Sequence, residues 1–371
     1  MAPAPKSIVL CCAAAMMLLS ASGAFCPVDS SNGRSKAKQK LTEPSRPMVA
    51  GLGNSHVRKR RRDDHNNANC LSMAATQITS EQVRIRNIEQ LNKLRTRDRQ
   101  SKEIDPKDLV IVYEDNHLVC VNKPAGVLCV PSEEGIPTLA QAVFENVPNQ
   151  QTSLDRMVVH RLGMDTSGLV LFAKTMDSLR EMNTIFRTRK IQRHYEVLVC
   201  GHLETDSGLI DMPLMRDYEK PPFMRVSTEQ NQRMLLGLDD KIVGKKLLEA
   251  PKASQTQFQV LGRETFSDTD LPVTRLLLKS VTGRTHQLNV HMAAIGHPIV
   301  GDRVYGWNGD ALPNGGLEPN ASTEDIELQE AIGRTATRMC VHAKSLAFQH
   351  PMLNNNDDEA VPLYFECETP F

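Results

Sequence analysis

Short apolar runs separated by turn residues fill the chain from residue 109 onward and predict strands and helices in mixed order. Period-two or continuous apolar segments predict strands at 109–113, 118–122, 169–173, 195–199 and 276–278. Apolar residues at helical spacing predict a helix over 177–186 and a second helix with Leu288, Met292 and Ile295 on one face. Because these strands and helices do not alternate regularly, the pattern favours an α+β fold over a doubly wound sheet.

The first hundred residues have a different pattern. An apolar run from Ile8 to Leu19 follows Lys6 and precedes small residues, which is typical of a signal peptide over residues 1–25. Residues 26–78 have few apolar positions and are expected to be a transit-peptide-like or disordered leader. Residues 79–103 carry apolar residues at roughly helical spacing and predict an amphipathic helix that leads into a body over residues 104–371. Within that body, 206–251 and 307–338 are interpreted as long surface insertions.

The charge distribution supports a boundary near residue 104. Residues 1–103 carry 18 Lys and Arg against 8 Asp and Glu, whereas residues 104–371 carry 26 against 36. An acidic body can bind nucleic acid only through a local basic cleft. The nine cysteines form no C-x-x-C pair, so neither a disulfide framework nor a zinc site is expected. This cysteine usage favours a reducing final compartment.

The leader predicts the destination of the protein. Phe25 directly after the small residues 20–24 resembles the bipartite presequence of algae with complex plastids, in which a signal peptide precedes a transit peptide. A plastid is therefore the expected compartment, with a mitochondrion or the secretory pathway as the alternatives. The apolar run is too short to span a bilayer comfortably, so no stable membrane insertion is expected.

The chemistry of the chain is concentrated in a few separated motifs. Residues 160–169 read His-Arg-Leu-Gly-Met-Asp-Thr-Ser-Gly-Leu and resemble the signature loop of the RluA-type RNA pseudouridine synthases, H-R-L-D-x-x-T-S-G-L. Further matches follow the order of the family: Lys-Pro-Ala-Gly at 123–126, Arg-His-Tyr at 193–195, Gly-Arg-Thr-His-Gln-Leu at 283–288 and Gly-His-Pro-Ile-Val-Gly-Asp at 296–302. The one departure in the signature loop is Gly163, which stands where the family has its catalytic aspartate.

The resemblance implies a pseudouridine synthase fold, with a mixed, largely antiparallel sheet, flanking helices and a central cleft. It also implies isomerisation of uridine in rRNA or tRNA, carried out by a monomer without a metal or cofactor. The uridine must be flipped out of its helix to reach the cleft. Tyr195 stands at the family's tyrosine beside the base, Arg284 at the arginine that pairs with the carboxylate, and Arg161 where it helps to hold the flipped nucleotide.

Gly163 has no side chain and can act neither as nucleophile nor as base. Asp165 is the nearest carboxylate, and a local bend can bring it toward Arg284; alternatively, it has only an ordinary structural role. Three hypotheses follow: an active isomerase that uses Asp165 or another group, an inactive RNA-binding homologue, or a misread codon for Gly163 in a normal enzyme.

The candidate RNA-binding residues form a basic group around the end of the helix at 177–186. The group comprises Arg187, Arg189, Lys190 and Arg193, with Arg161 on the signature loop. A solvated helix face is the alternative interpretation of these charges. His286, His291 and His297 match no compact zinc spacing, so we expect them to serve packing and not to bind metal.

Overall fold

The protein is described by a computed structural model that covers residues 78–133, 135–267, 269–318, 322–354 and 360–371. The predicted signal peptide and leader lie outside the described residues. In the described part, helices pack around one sheet of nine strands and one small two-stranded sheet. The α+β class expected from the sequence is confirmed.

The five strands predicted from the apolar runs are present, several of them longer by a few residues, and the structure adds further strands that were not predicted. The large sheet contains β1 Val110–Glu114, β2 Leu118–Lys123, β3 Ser167–Ala173, β4 Gln192–Cys200, β5 Ser207–Asp211, β8 Gln255–Thr265, β9 Pro272–Ser280, β10 Val341–Asn354 and β11 Ala360–Glu366. Its order is β1-β2-β3-β10-β4-β9-β8-β5, and β11 pairs with β10. All pairings in this order are antiparallel except β3 with β10. The small sheet joins β6 Leu214–Arg216 to β7 Met224–Val226.

Seven α-helices and three short 3₁₀ turns connect the strands in the described part of the chain. The helices are α1 Ser80–Asp98, α2 Leu139–Asn146, α3 Met176–Arg187, α4 Glu229–Leu235, α5 Asp240–Val243, α6 Gln287–Ala294 and α7 Thr323–Thr335; the 3₁₀ turns are Pro106–Asp108, Leu154–Met157 and Pro313–Gly316. Helix α3 begins at a reciprocal cap between Thr175 and Ser178, which satisfies backbone N–H groups that the helix leaves free. The described residues include no helix that is both long and apolar enough to span a membrane.

Alternation along β4 separates two apolar layers. Tyr195, Val197 and Val199 face the largest core cluster, which also contains Leu162 of the signature loop. Leu198 and Cys200 face a second cluster on the opposite side of the sheet. Tyr195 therefore shares its layer with the loop that carries Gly163.

Helix α1 packs against the body by part of the predicted apolar face. Val83 is 1% exposed and belongs to a cluster that contains Met215 and Tyr218, and Leu94 packs against another cluster. Ile85 and Ile88, which have the same approximate spacing, remain 46% and 45% exposed. Only one stripe of a helix can face its partner, and these two positions lie outside it.

The interpretation of 206–251 as a surface insertion is wrong. The segment contributes β5 to the large sheet and forms the small sheet, and it buries Met215, Asp217 and Phe223. The buried residues of this segment were not recognised in the sequence because they are spread among turns and short helices and form no apolar run. Residues 307–338 likewise include buried positions, among them Ile332 of helix α7.

Candidate functional site

The signature loop is held by one buried ammonium group. Lys123, at the end of β2, is fully buried, and its Nζ donates hydrogen bonds to the carbonyl oxygens of Pro124, Met164 and Thr166 at 2.9, 2.9 and 2.8 Å. The N–H of Gly126 donates a further bond to Met164 at 2.9 Å. Burial lowers the pKa of Lys123 to about 8. The Lys-Pro-Ala-Gly motif thus fixes the backbone of residues 164–166.

His160 anchors the start of the loop. Its Nε2 accepts the backbone N–H of Leu171 at 2.9 Å, and its ring stacks on Phe186 with 5.0 Å between centroids. Burial, and then the charge of Arg193, lowers the pKa of His160 to about 3. The ring is therefore neutral at physiological pH and carries its proton on Nδ1.

The end of the loop is anchored to β10. Ser167 Oγ lies 2.8 Å from His342 Nδ1, and His342 Nε2 lies 2.9 Å from Cys367 Sγ. The ring of His342 is 1% exposed, and burial lowers its pKa to about 4. This chain of polar contacts connects the signature loop to the C-terminal segment of the protein.

Gly163 lies between these anchors on a backbone that tolerates a side chain. Its φ is outside the left-handed region, and an added Cβ would meet only Thr166 Oγ1, at 3.4 Å. Its carbonyl accepts the N–H of Thr166 at 3.2 Å. Glycine is therefore not required by the fold, and the space for a carboxylate remains.

Asp165 forms an ion pair with Arg97, in the last turn of α1, and both side chains are 30% exposed. In the described part of the chain, no hydrogen bond or ion pair joins Asp165 to Arg284, so the contact that a local bend was expected to provide is not formed. Arg284 Nε instead donates to the carbonyl of Ala253 at 3.1 Å. The carboxylate that the sequence offered as a substitute is thus already neutralised by another guanidinium.

The loop of Arg284 is shaped by Gln287, which is 3% exposed at the start of α6. Gln287 Oε1 accepts the hydroxyl of Thr282 at 2.6 Å and the N–H of Arg284 at 3.0 Å. Its Nε2 donates to Gln255 and Thr256. One amide therefore ties the loop to β8 and presents Arg284 at the surface of the cleft.

The loop of Arg284 approaches strand β4 at Arg193. An added Cβ at Gly283 would lie 2.7 Å from Arg193 Nη2, so the absence of a side chain permits a close approach. Arg193 precedes Tyr195 by two residues on β4. Tyr195 is 8% exposed and belongs to the core cluster that contains Leu162. Among the described residues, the Tyr195 side chain makes no hydrogen bond, and no hydrogen bond or ring contact joins it to Arg284.

The predicted RNA-binding residues surround this region. Arg161, Arg187, Arg189 and Lys190 are exposed, and Arg193 is half-buried with its guanidinium 5.8 Å from the centre of the Phe186 ring. Arg189 adopts a left-handed φ of 59° directly after α3, which turns the chain toward β4. Arg193 thus has a packing role in addition to its charge.

The three histidines of this region have protein partners. Burial lowers the pKa of His286; Asp302 opposes that shift, and the charges of Arg216, Arg97 and Arg161 add to it. His286 Nδ1 lies 2.7 Å from Tyr305 Oη. His291 contacts Thr256 and Met212, and His297 contacts Cys200, so the three histidines have separate protein partners.

Two contributors to the site were missed by the sequence reasoning. Arg97 lies 68 residues from Asp165 along the chain and is not part of a recognisable motif. Lys123 stands in a recognisable motif, and a lysine at the end of an otherwise apolar strand is the signal that could have identified its role.

Comparisons with known proteins give a consistent result. The family model described as RNA pseudouridylate synthase matches residues 117–294. The dual-specificity RNA pseudouridine synthase RluA of Yersinia pestis is 33% identical over 263 residues, which cover 71% of this chain and all of the relative. Its counterpart in Escherichia coli K12 is 33% identical over 259 residues, covering 69% and 94% of the two chains. The solved structure of human RNA pseudouridylate synthase domain containing 1 aligns with a TM-score of 0.49 at 24% identity, covering 72% of this chain and 86% of the other.

The neutral state of His160 predicts a pH dependence of stability. As pH falls below about 6.5, the unfolded chain binds a proton at this ring, whereas the folded protein resists protonation down to a pKa of about 3. The free energy of unfolding should therefore fall with pH across this window, by about 1 kcal/mol per pH unit from this side chain. Guanidinium unfolding at pH 7, 6 and 5 measures it.

His160→Gln is the matched variant, because the amide oxygen can accept the N–H of Leu171 without titrating. We expect the variant to lose less stability than the wild type between pH 7 and 5. Parallel pH curves for the two proteins would show that His160 is not the group responsible.

Proposed function

The chain belongs to the RluA-type RNA pseudouridine synthases, and from this membership we propose that its cleft isomerises uridine to pseudouridine in structured rRNA or tRNA of an organelle. The protein acts as a monomer. The observation that supports the proposal is the signature loop, which Lys123 holds in place and which shares its core cluster with Tyr195. A cleft formed this way can receive a uridine that has been flipped out of its helix.

The reaction breaks the bond between N1 of uracil and C1′ of ribose and forms a bond from C5 to C1′. The hydrogen on C5 leaves as a proton, and N1 gains one from solvent. In this proposal Tyr195 packs on the uracil and its free hydroxyl is available for proton transfer, while Arg161 helps to hold the flipped nucleotide. Arg284 stabilises negative charge beside the ribose.

This chemistry requires a carboxylate beside the ribose, and Gly163 does not provide one. Asp165 is the one acidic residue between His160 and Leu169. To act at the ribose it must exchange its ion pair with Arg97 for a position beside Arg284. Binding of RNA can drive that exchange, since a phosphate competes with the carboxylate for the Arg97 guanidinium.

A second candidate function is RNA binding without turnover. The Arg97–Asp165 ion pair favours it, because a carboxylate engaged in a partly buried pair is held away from the sugar. In that case the protein flips or holds uridine and leaves it unchanged.

Tritium release from C5-labelled uridine in organellar RNA tests both candidates. Gly163→Asp should release tritium at least ~100-fold faster than the wild type, because it returns a carboxylate to a backbone position with space for it. Asp165→Asn tests the substitute without changing the shape of the residue. Light scattering during purification reports whether the protein is monomeric.

Turnover by the wild type that disappears in Asp165→Asn supports isomerisation through Asp165. Turnover only in Gly163→Asp supports the binding function. If none of the three proteins releases tritium or binds RNA, the cleft does not serve uridine and the proposal fails.

The exposed basic group at 187–190 is proposed to contact RNA phosphates. Replacement of Arg189 by Gln should weaken binding of unrelated RNA sequences alike and reduce the slope of log affinity against log salt by about 0.7–0.9. Arg233→Gln is the charge-matched control, because Arg233 lies on α4 and pairs with Glu229. Equal slopes for the two variants would contradict a phosphate contact at Arg189.

We also propose that the protein works in a plastid, with the mitochondrion as the alternative organelle. The leader pattern over residues 1–78 is the support for this proposal. N-terminal sequencing of protein recovered from isolated organelles provides the test: a mature terminus well beyond residue 25 in plastids is expected, and recovery from the culture medium would contradict it.

A further inference from the structure

We propose that a second cleft, which shares the signature loop with the catalytic cleft, binds the nucleotide of the RNA that neighbours the target uridine. This inference rests on the proposed function, because it assigns a further part of the same substrate. The second cleft has a volume of about 590 Å³. Small-molecule sites of 300–1,000 Å³ are usual, so a single nucleotide fits.

The walls of the second cleft come from well-separated parts of the chain. They are the end of α1, the turn after β2, residues 164–167, residues 301–303, residues 337–342 and the C-terminal segment. Tyr195, Arg284 and His286 are not among its lining residues. The cleft is therefore distinct from the region where the flipped base is held, although residues 164–167 border it.

The signature loop connects the second cleft to the catalytic region. Met164, Asp165 and Ser167 line the second cleft, and Gly163, at the family's catalytic position, directly precedes them. A sugar–phosphate backbone that follows this loop away from the flipped uridine enters the second cleft, which makes the neighbouring residue of the RNA the natural occupant.

The second cleft offers cations that have no partner within the described protein. Arg97 is paired with Asp165, and Lys123 is satisfied by carbonyl groups. By contrast, Lys102, Arg303 and Arg338 form no ion pair in the described part of the chain. Arg338 also has a buried Nη2 without a hydrogen-bond partner, while its guanidinium lies 5.3 Å from the centre of the Phe371 ring.

The carboxylates that line the same cleft, Asp108 and Glu368, are exposed and unpaired among the described residues. They can therefore remain hydrated when an anion binds. The lining as a whole carries five cations, Arg97, Lys102, Lys123, Arg303 and Arg338, against the three carboxylates Asp108, Asp165 and Glu368. This excess of positive charge favours a phosphate-bearing ligand.

The cleft can also contact a base. Asn122, half-buried at the end of β2, lines it and makes no side-chain hydrogen bond in the described structure. A side-chain amide provides both donors and an acceptor and can bind a base edge. Met164 and Met339 add adaptable apolar contact surface on the walls. The unpaired cations bind a phosphate, whereas the Asn122 amide and the apolar walls bind a base. Together these groups fit a nucleotide better than an inorganic anion.

The same chemistry can come from RNA or from a free nucleotide, and a length series distinguishes the two. The probes are uridine 5′-monophosphate and oligouridylates of two, four and six residues, titrated against the full-length protein. Trp307, the only tryptophan of the chain, lines an adjoining cleft that shares Arg303 with the second cleft, so its fluorescence reports binding. We expect affinity to rise at least tenfold from the monophosphate to the dinucleotide.

Arg303→Gln should weaken binding of the hexamer about threefold to tenfold and reduce its salt slope by about 0.7, because one phosphate contact is lost. Asn122→Ala should weaken the same complex without changing the slope, because it removes a contact to the base. Arg233→Gln is the charge-matched control and should leave both quantities unchanged.

Equal affinity for the monophosphate and the oligomers would assign the cleft to a free nucleotide and overturn the proposal. If Arg303→Gln has the same affinity and salt slope as Arg233→Gln while the protein still binds RNA, the proposal for the second cleft is also overturned. The proposed function survives that result. Loss of all RNA binding by the wild type would overturn both.

If Arg303→Gln does not fold, crosslinking of wild-type protein to a hexamer with 4-thiouridine decides the question. Crosslinks should fall within residues 301–303 or 337–342. Crosslinks confined to residues 187–193 would overturn the proposal.

Discussion

One buried ammonium group determines the conformation of the functional loop. Lys123 is fully buried, and its charge is compensated by three backbone carbonyls rather than by a carboxylate. Burial of a charge is unfavourable unless its hydrogen bonds are made, so the loop and the lysine depend on each other. The turn after β2 and residues 164–166 therefore behave as one rigid unit. The positions of Gly163 and Asp165 follow from this unit and not from their own side chains.

Because the backbone is fixed by Lys123, the fold does not require glycine at position 163. A Cβ added there would meet only Thr166 Oγ1, at 3.4 Å, and the φ of this residue lies outside the left-handed region. The nearest carboxylate of the loop, Asp165, is engaged by Arg97. The charge of the loop is therefore balanced by a residue of α1 and not by a residue of the loop itself.

Much of the fold could be predicted from the sequence, and the limits have physical causes. Strands such as 169–173 and 195–199 were found because they are buried on both faces and appear as continuous apolar runs. The packing face of α1 was only partly predicted, because Val83 is buried as expected whereas Ile85 and Ile88 fit the approximate helical spacing and yet are exposed. Motif residues such as Tyr195 and Arg284 could be named in advance because each lies in a short motif that is contiguous in the sequence. The Arg97–Asp165 pair could not, because it joins elements 68 residues apart and only the tertiary fold brings them together.

Arg97 also changes how the limits of the functional unit should be drawn. The family model begins at residue 117, and the charge distribution suggested a boundary near 104. Helix α1 precedes both, yet Val83 is buried against the body and Arg97 binds the signature loop. The change from a basic to an acidic segment near residue 104 reports only the distribution of charge. The start of the folded unit is given by the first buried residues. A chain started at residue 104 would leave Asp165 without its guanidinium and would lose a residue that lines the second cleft, so α1 belongs to the site as well as to the fold.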